Sequence, residues 1–168
     1  MKREDHFEIV YINDRGETCY CYPRSIEQRD RNVEYLNRRN MKIVRITKLY
    51  PFNTYKNQHN FDLINNICAN TMYDMESGEI EWDDAEFERL EKTRRKAQEF
   101  FAMPLPIAWV PWPTYKAMKE MSAAAVCHRD EANARAQARR YADERDSDWR
   151  PGDAPWKAPG MSASDFVR

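Results

Sequence analysis

Residues 7–50 carry the pattern that most restricts what this chain can fold into. Phe7-Glu8-Ile9-Val10-Tyr11-Ile12 is rich in aromatic and β-branched residues, which suit a pleated, half-buried surface. Asn13-Asp14-Arg15-Gly16 supplies turn chemistry, since Asn and Asp side chains bond their own backbone and Gly16 takes positive φ without a steric cost. Thr18-Cys19-Tyr20-Cys21-Tyr22 then reads as a second strand, with the cysteines on one face and the tyrosines on the other. Pro23 ends it for want of an N–H, and Ser25 with Gln28 three residues on has the capping-box spacing. The helix it opens runs to about Arg39 on a thin apolar stripe of Ile26, Val33 and Leu36. Glu27 with Arg31 and Glu34 with Arg38 form (i, i+4) pairs along it, so its arginines have acidic neighbours. Ile43 to Leu49 is a third strand, expected to close at Pro51. A ββαβ unit of this size is marginal alone, so the rest of the chain, or a partner, is expected to cover its second face or its edge.

Beyond the strand, Pro51 to Gln58 reads as a loop, and Asn60 is expected to cap a helix reaching about Met75. Phe61, Ile64, Ile67, Cys68, Thr71, Met72 and Met75 fall on one stripe at 3.6-residue spacing. Gly78 is placed to end that helix in the left-handed region. Asp83, with Glu86 at capping-box distance, opens a second helix whose inner face is Phe87, Leu90, Arg94, Ala97 and Phe101, braced outside by Glu88 with Lys92 and Glu91 with Arg95. The two helices form an expected antiparallel hairpin. The four prolines between Pro104 and Pro113 forbid a helix there, and this apolar, extended segment is expected to lie across the core with Trp109 or Trp112 inserted. Thr114 is expected to cap a long helix that packs through Tyr115, Met118, Met121 and Ala125. After His128 it turns polar on all sides, as in a helix that bridges solvent or awaits a partner, including a second copy of the chain. From Asp146 the composition shifts to a tail expected to lack fixed structure alone, with Trp149, Trp156 and Phe166 spaced like anchors.

The expected architecture is therefore α+β. A three-stranded sheet with one crossing helix packs on a helical hairpin, and a long C-terminal helix and an extended tail follow. The corresponding divisions are 1–58, 59–103, 104–146 and 147–168.

Over its 168 residues the chain carries a net charge of −1, which hides a dipolar layout. Residues 59–91 hold one basic residue against ten acidic ones, while residues 92–145 hold 11 basic against six acidic. Repulsion among the carboxylates from Asp74 to Glu91 raises the energy of the free surface, and an approaching basic partner relieves it. The competing reading is a solvated helix face whose acidic first turn suits the helix dipole.

Chemistry-bearing motifs are sparse. Cys19 and Cys21 form C-x-C on one strand face, which is not the paired C-x(2–4)-C of structural zinc, so no metal is expected. None of the four glycines lies in a phosphate-binding loop, no cofactor is implied, and no arrangement of nucleophile and base is dictated by spacing. No catalytic residue is assigned and no enzyme activity is expected. No run of about 18 apolar residues indicates a membrane span, and the charged start Met1 to His6 lacks the apolar core of a secretory signal. Four cysteines without such a signal point to reduced thiols in a cytosol. Direct nucleic-acid binding would draw on Tyr11, Tyr20 and Tyr22 as a stacking platform, with Lys92, Arg94, Arg95 and Lys96 or Arg135, Arg139 and Arg140 on phosphates.

The opening third of the chain resembles short bacteriophage-encoded accessory proteins. Some of these begin with a strand, an acidic-Gly turn like Asn13-Asp14-Arg15-Gly16, a second strand and a Ser-initiated charged helix like Ser25-Ile26-Glu27-Gln28-Arg29. The resemblance implies a viral, host-directed protein in the bacterial cytosol, such as an inhibitor of a host enzyme or of a defence system (an anti-CRISPR or anti-restriction factor). Together these readings lead to the expectation of a stoichiometric protein-binding protein. Its partner would be basic, itself a nucleic-acid-binding protein in the simplest case. The contact residues would be Asp74, Glu76, Glu79, Glu81, Asp83, Asp84, Glu86 and Glu88, with Trp149 and Trp156 as anchors. A small nucleic-acid-binding module is the alternative.

Overall fold

The computed structural model describes residues 4–148. Strand β1 (His6–Ile12) and strand β2 (Thr18–Cys21) form the expected hairpin, with Val10 opposite Tyr20 and Tyr11 opposite Cys19. Asn13 Oδ1 accepts from the backbone N–H of Arg15 at 3.0 Å and of Glu17 at 2.9 Å, and Gly16 turns the chain at φ 77°. Helix α1 (Ile26–Arg38) starts at Ser25, whose Oγ accepts from Gln28 N at 3.0 Å. Gln28 Oε1 reaches back to accept from Arg24 N at 2.9 Å, one residue ahead of the usual capping-box donor. α1 lies over the hairpin: Asn32 Nδ2 is 3.8 Å from Cys21 Sγ and the Arg29 guanidinium sits 4.8 Å from the Phe7 ring centroid.

Strand β3 (Lys42–Asn53) is longer than its sequence pattern indicates, because it has two partners in succession. Its first part pairs antiparallel with β1 from Ile12↔Lys42 to His6↔Leu49, with a shift that leaves Val44 as an extra, exposed residue. Its second part pairs antiparallel with β4 (Ile107–Pro111), from Leu49↔Pro111 to Asn53↔Ile107. The sheet therefore has four strands in the order β2-β1-β3-β4, one more than expected, and the extra one is the Pro/Trp segment. Pro51 does not close β3. Beyond Leu49 the strand has only β4 beside it, so a missing N–H on the other side costs no ladder bond. Pro111 occupies the last position of an edge strand, where proline is also tolerated.

Helix α2 (Thr54–Ser77) follows β3 without a loop. Its cap is Asn53, whose Oδ1 accepts from Lys56 N at 2.8 Å, and not Asn60. Asn60 is buried in mid-helix and donates to Ser122 Oγ at 2.8 Å. The division drawn at residue 58 falls inside this helix. Gly78 ends α2 at φ 82°, and Asp83 caps α3 (Asp84–Phe101), completing the antiparallel hairpin. On α3 the inner position is Phe100, which packs against Phe61 with ring centroids 5.5 Å apart, while Phe101 at the end of the helix is exposed.

Helix α4 (Trp112–Asp148) starts two residues before Thr114, and Pro113 sits in its first turn, where no backbone donor is required. The chain divides into two units, Met1–Ala125 and Val126–Arg168. In the first, Phe52, Ala108 and Val110 of the sheet join Phe61, Phe100 and Met118 of the helices in one buried cluster. Ile64, Cys68, Met75, Leu90, Ala97 and Ala125 form a second cluster between the helices. Neither tryptophan of the Pro/Trp segment inserts. Strand alternation puts Ala108 and Val110 inward and leaves Trp109 half-buried, while Trp112, the first residue of α4, is exposed. In the second unit, residues 127–144 of α4 are exposed throughout. Trp149, Trp156 and Phe166 lie outside the described residues.

Candidate functional site

The acidic stretch lies around the turn between α2 and α3. Gly78 N donates to Met75 O at 3.3 Å and Ile80 N to Asp74 O at 3.2 Å, which folds the chain back over the end of α2. Trp82 follows, stacked on Phe87 with centroids 4.7 Å apart at 28°, its indole Nε1 donating to Asp84 Oδ1 at 2.6 Å. Fixed on both sides, Trp82 still exposes 50% of its surface, and Ile80 beside it is also exposed. A cleft of about 740 Å³ opens here, lined by Met75, Trp82, Ala85 and the carboxylates of Glu81, Asp83, Asp84 and Glu86.

The eight acidic residues assigned as contacts are not equivalent. Glu86 accepts from Arg89 Nε at 2.7 Å, and Glu88 holds Lys92 Nζ at 2.8 Å. The hydrogen bond from Arg89 holds the Glu86 carboxyl below its ordinary pKa, and the one from Lys92 does the same for Glu88. Asp83 spends its carboxylate on the N–H groups of Ala85 at 3.0 Å and Glu86 at 3.2 Å. Asp84 accepts from Trp82. Asp74 is half-buried; Glu76, Glu79 and Glu81 are exposed, and none of these four carboxylates forms an ion pair among the described residues. The uncompensated charge is thus concentrated on the turn, next to Trp82, and thins out along α3.

The surfaces named for nucleic acid are less coherent. Tyr20 and Tyr22 are exposed, but Tyr11 pairs with Cys19 on the other face of the hairpin, so the three rings form no common platform. Burial, with the thiols of Cys19 and Cys21 next in effect, pushes the Tyr11 hydroxyl pKa up. In the basic cluster of α3, Lys92 is taken by Glu88, Arg95 by Glu91 at 2.8 Å, and Arg94 Nε donates to Asn65 Oδ1 at 3.3 Å. Arg135 pairs with Glu131 at 3.6 Å.

The four cysteines are free thiols. Burial raises the pKa of Cys68, against the opposing pull of Arg89 and Arg94, and burial likewise raises that of Cys21. Among the described residues no group of three or more His, Cys, Asp or Glu side chains is arranged to hold a metal ion, and no helix is long and apolar enough to cross a membrane.

Sequence reasoning missed two features. Trp82 carried no signal, being one aromatic in a charged turn. A cavity of about 360 Å³ is lined by Tyr50, Trp109, Trp112 and Tyr115 together with Glu4, Asp5 and Lys48. The tryptophans of the Pro-rich segment were its available signal, and their expected burial hid it. No protein-family model, curated protein or solved structure matches the chain.

Proposed function

We propose that this is a non-enzymatic, stoichiometric protein-binding protein whose contact surface is the turn between α2 and α3. The observation that carries the reading is Trp82: a half-exposed indole, held by Phe87 and Asp84, sharing a cleft with Glu81, on a turn that also carries Glu79 and follows Glu76 at the end of α2. A rigid tryptophan costs little side-chain entropy on association and is a common energetic anchor of interfaces. Carboxylates around it favour a basic partner, through faster encounter and through rejection of acidic surfaces. The first turn of α3 and its intrahelical ion pairs support that knuckle more than they contact the partner. Trp149 and Trp156 are proposed as further anchors. A bacterial cytosolic partner, as in phage inhibition of a host or defence protein, is the setting proposed for this activity.

The test is retention of a partner from nuclease-treated bacterial lysate by the tagged protein, compared with two variants, Trp82→Ala and the triple reversal Glu76→Lys, Glu79→Lys, Glu81→Lys. A stoichiometric protein retained by the parent, released by salt and lost with both variants is the expected result. Retention of one partner equally by all three proteins refutes the proposed surface. Retention of nucleic acid alone from a parallel untreated lysate, with nothing retained after nuclease treatment, refutes protein binding and favours the nucleic-acid alternative.

A further inference from the structure

The aromatic cavity lies in the first unit, where β3, β4 and the start of α4 meet. Tyr50, Trp112 and Tyr115 brace one another: Trp112 and Tyr115 stack at 5.6 Å and 18°, and Tyr50 meets Trp112 at 5.1 Å and 63° and Tyr115 at 6.0 Å and 47°. Trp109 is held in a fixed orientation by His6, which stacks on it at 3.4 Å and 2°. These four rings line a cavity of about 360 Å³, within the size range of roughly 300–1,000 Å³ typical of small-ligand sites. Trp112 leaves 53% of its surface exposed. An aromatic cluster left open to water is poor use of apolar surface unless something covers it.

The charges around the rings say what that something is. Glu4 and Asp5 bring two carboxylates to the lining, and Lys48 brings one ammonium. Lys48 Nζ lies 3.0 Å from Asp5 Oδ1 and 5.9 Å from the Tyr50 ring centroid, so the chain already sets one cation against this aromatic wall. The other carboxylate, Glu4, meets His6 Nε2 at 3.3 Å. Of the acidic and basic side chains in the lining, Glu4 and Asp5 carry two negative charges and Lys48 one positive, so one negative charge is left over. An anion would meet both the carboxylates and the negative faces of the rings. A compact cation would be attracted by both.

We propose that this cavity binds a methylated ammonium group, a monocation whose methyl groups cover the rings of Tyr50, Trp109 and Trp112 while the one excess negative charge of the Glu4, Asp5 and Lys48 group neutralises it. The site is separate from the turn proposed for protein binding and does not depend on it.

Choline and its neutral isostere 3,3-dimethylbutan-1-ol test this on the full chain, by tryptophan fluorescence and by the proton resonance of the probe's methyl groups. Choline is expected to saturate at millimolar concentration with an upfield methyl shift from the ring currents, and the isostere to bind at least fivefold more weakly. Trp112→Ala and Asp5→Asn should each weaken choline at least threefold with unchanged circular dichroism. Trp112→Phe should restore part of the loss, because it returns a ring. A trimethyllysine peptide, compared with its unmodified form, distinguishes a protein side chain from a free small molecule as the source of the same group. Equal binding of the isostere, indifference to Trp112→Ala, or no saturable shift with either choline or the trimethyllysine peptide overturns the proposal.

Discussion

Replacing Phe61 by alanine tests whether the helices and the sheet share one core. Phe61 is fully buried on α2, with its ring centroid 5.9 Å from that of Phe52 on β3 and 5.5 Å from that of Phe100 on α3. It belongs to the same buried cluster as Ala108, Val110 and Met118, so five elements, α2, β3, α3, β4 and α4, meet in one core. Emptying such a site costs the transfer free energy of the lost atoms plus a cavity term, about 3–5 kcal/mol for Phe→Ala. Two aromatic neighbours keep Phe61 away from the lower end of that range, so a loss of about 4 kcal/mol is expected. Set against a typical domain stability of roughly 5–15 kcal/mol, that is a large fraction. The assay is urea unfolding followed by tryptophan fluorescence and far-ultraviolet circular dichroism. With a slope of about 2 kcal/mol per molar urea, the midpoint should fall by about 2 M at unchanged slope. Phe61→Leu, which keeps most of the volume, should fall by less than half as much. A drop below about 0.5 M for the alanine variant would refute the shared core.

Three further outcomes follow from local contacts. Asp83→Ala should destabilise by about 1 kcal/mol through loss of the α3 cap, while Asp83→Asn, which keeps an accepting oxygen, should stay near the parent; equal losses in thermal melts would remove the capping role. Glu86 has a folded-state pKa held below its unfolded value by Arg89, so its contribution is present above the unfolded glutamate pKa of about 4.3 and is lost as pH falls through the lower folded value. The urea midpoint should therefore decline on acidification below that point less steeply in Glu86→Gln than in the parent, and identical slopes would contradict the pairing. Among the thiols, exposed Cys127 should alkylate first and buried Cys68, whose pKa is raised, last; mass spectrometry of a timed iodoacetamide reaction shows the order, and a Cys68 that keeps pace in the folded protein would contradict its burial.

Local chemistry made the first half of the chain legible. The Asn13–Gly16 turn, the Ser25 and Asp83 caps and the Gly78 terminus are each determined by a few adjacent residues, and all four form as read. The reading failed where partners are distant in sequence. Nothing near Pro51 says that β4 will pair there, so a proline that breaks most strands looked like an end. The same pairing sets the inward face of β4 and hence keeps Trp109, which composition alone had sent to the core, off that face. Asn53 was overlooked as a cap because β3 runs directly into α2, without the polar loop that Pro51 to Gln58 suggested. Of the acidic stretch, the (i, i+4) pairs of Glu88 and Glu91 were readable from spacing, whereas the Glu86–Arg89 pair at (i, i+3) was not read.

That division of the carboxylates determines how charge reversal must be interpreted. Reversing Glu86 or Glu88 changes the field seen by a partner and also breaks an ion pair within α3, and reversing Asp83 removes a cap. A loss of binding in those variants therefore mixes electrostatics with fraying of the helix that carries Phe87, the support of Trp82. Glu76, Glu79 and Glu81 have no such second duty among the described residues, so their reversal to lysine changes the field without breaking an ion pair or a cap, and at Glu76, in the last turn of α2, it also suits the helix dipole. If the proposed surface works by charge, this triple variant should lose affinity and most of its salt dependence while its melting temperature stays close to the parent's. If instead the Asp83, Glu86 and Glu88 reversals weaken binding in step with their loss of stability while the turn triple has no effect, the carboxylates serve only to build α3. The apolar contact of Trp82 would then have to account for recognition by itself.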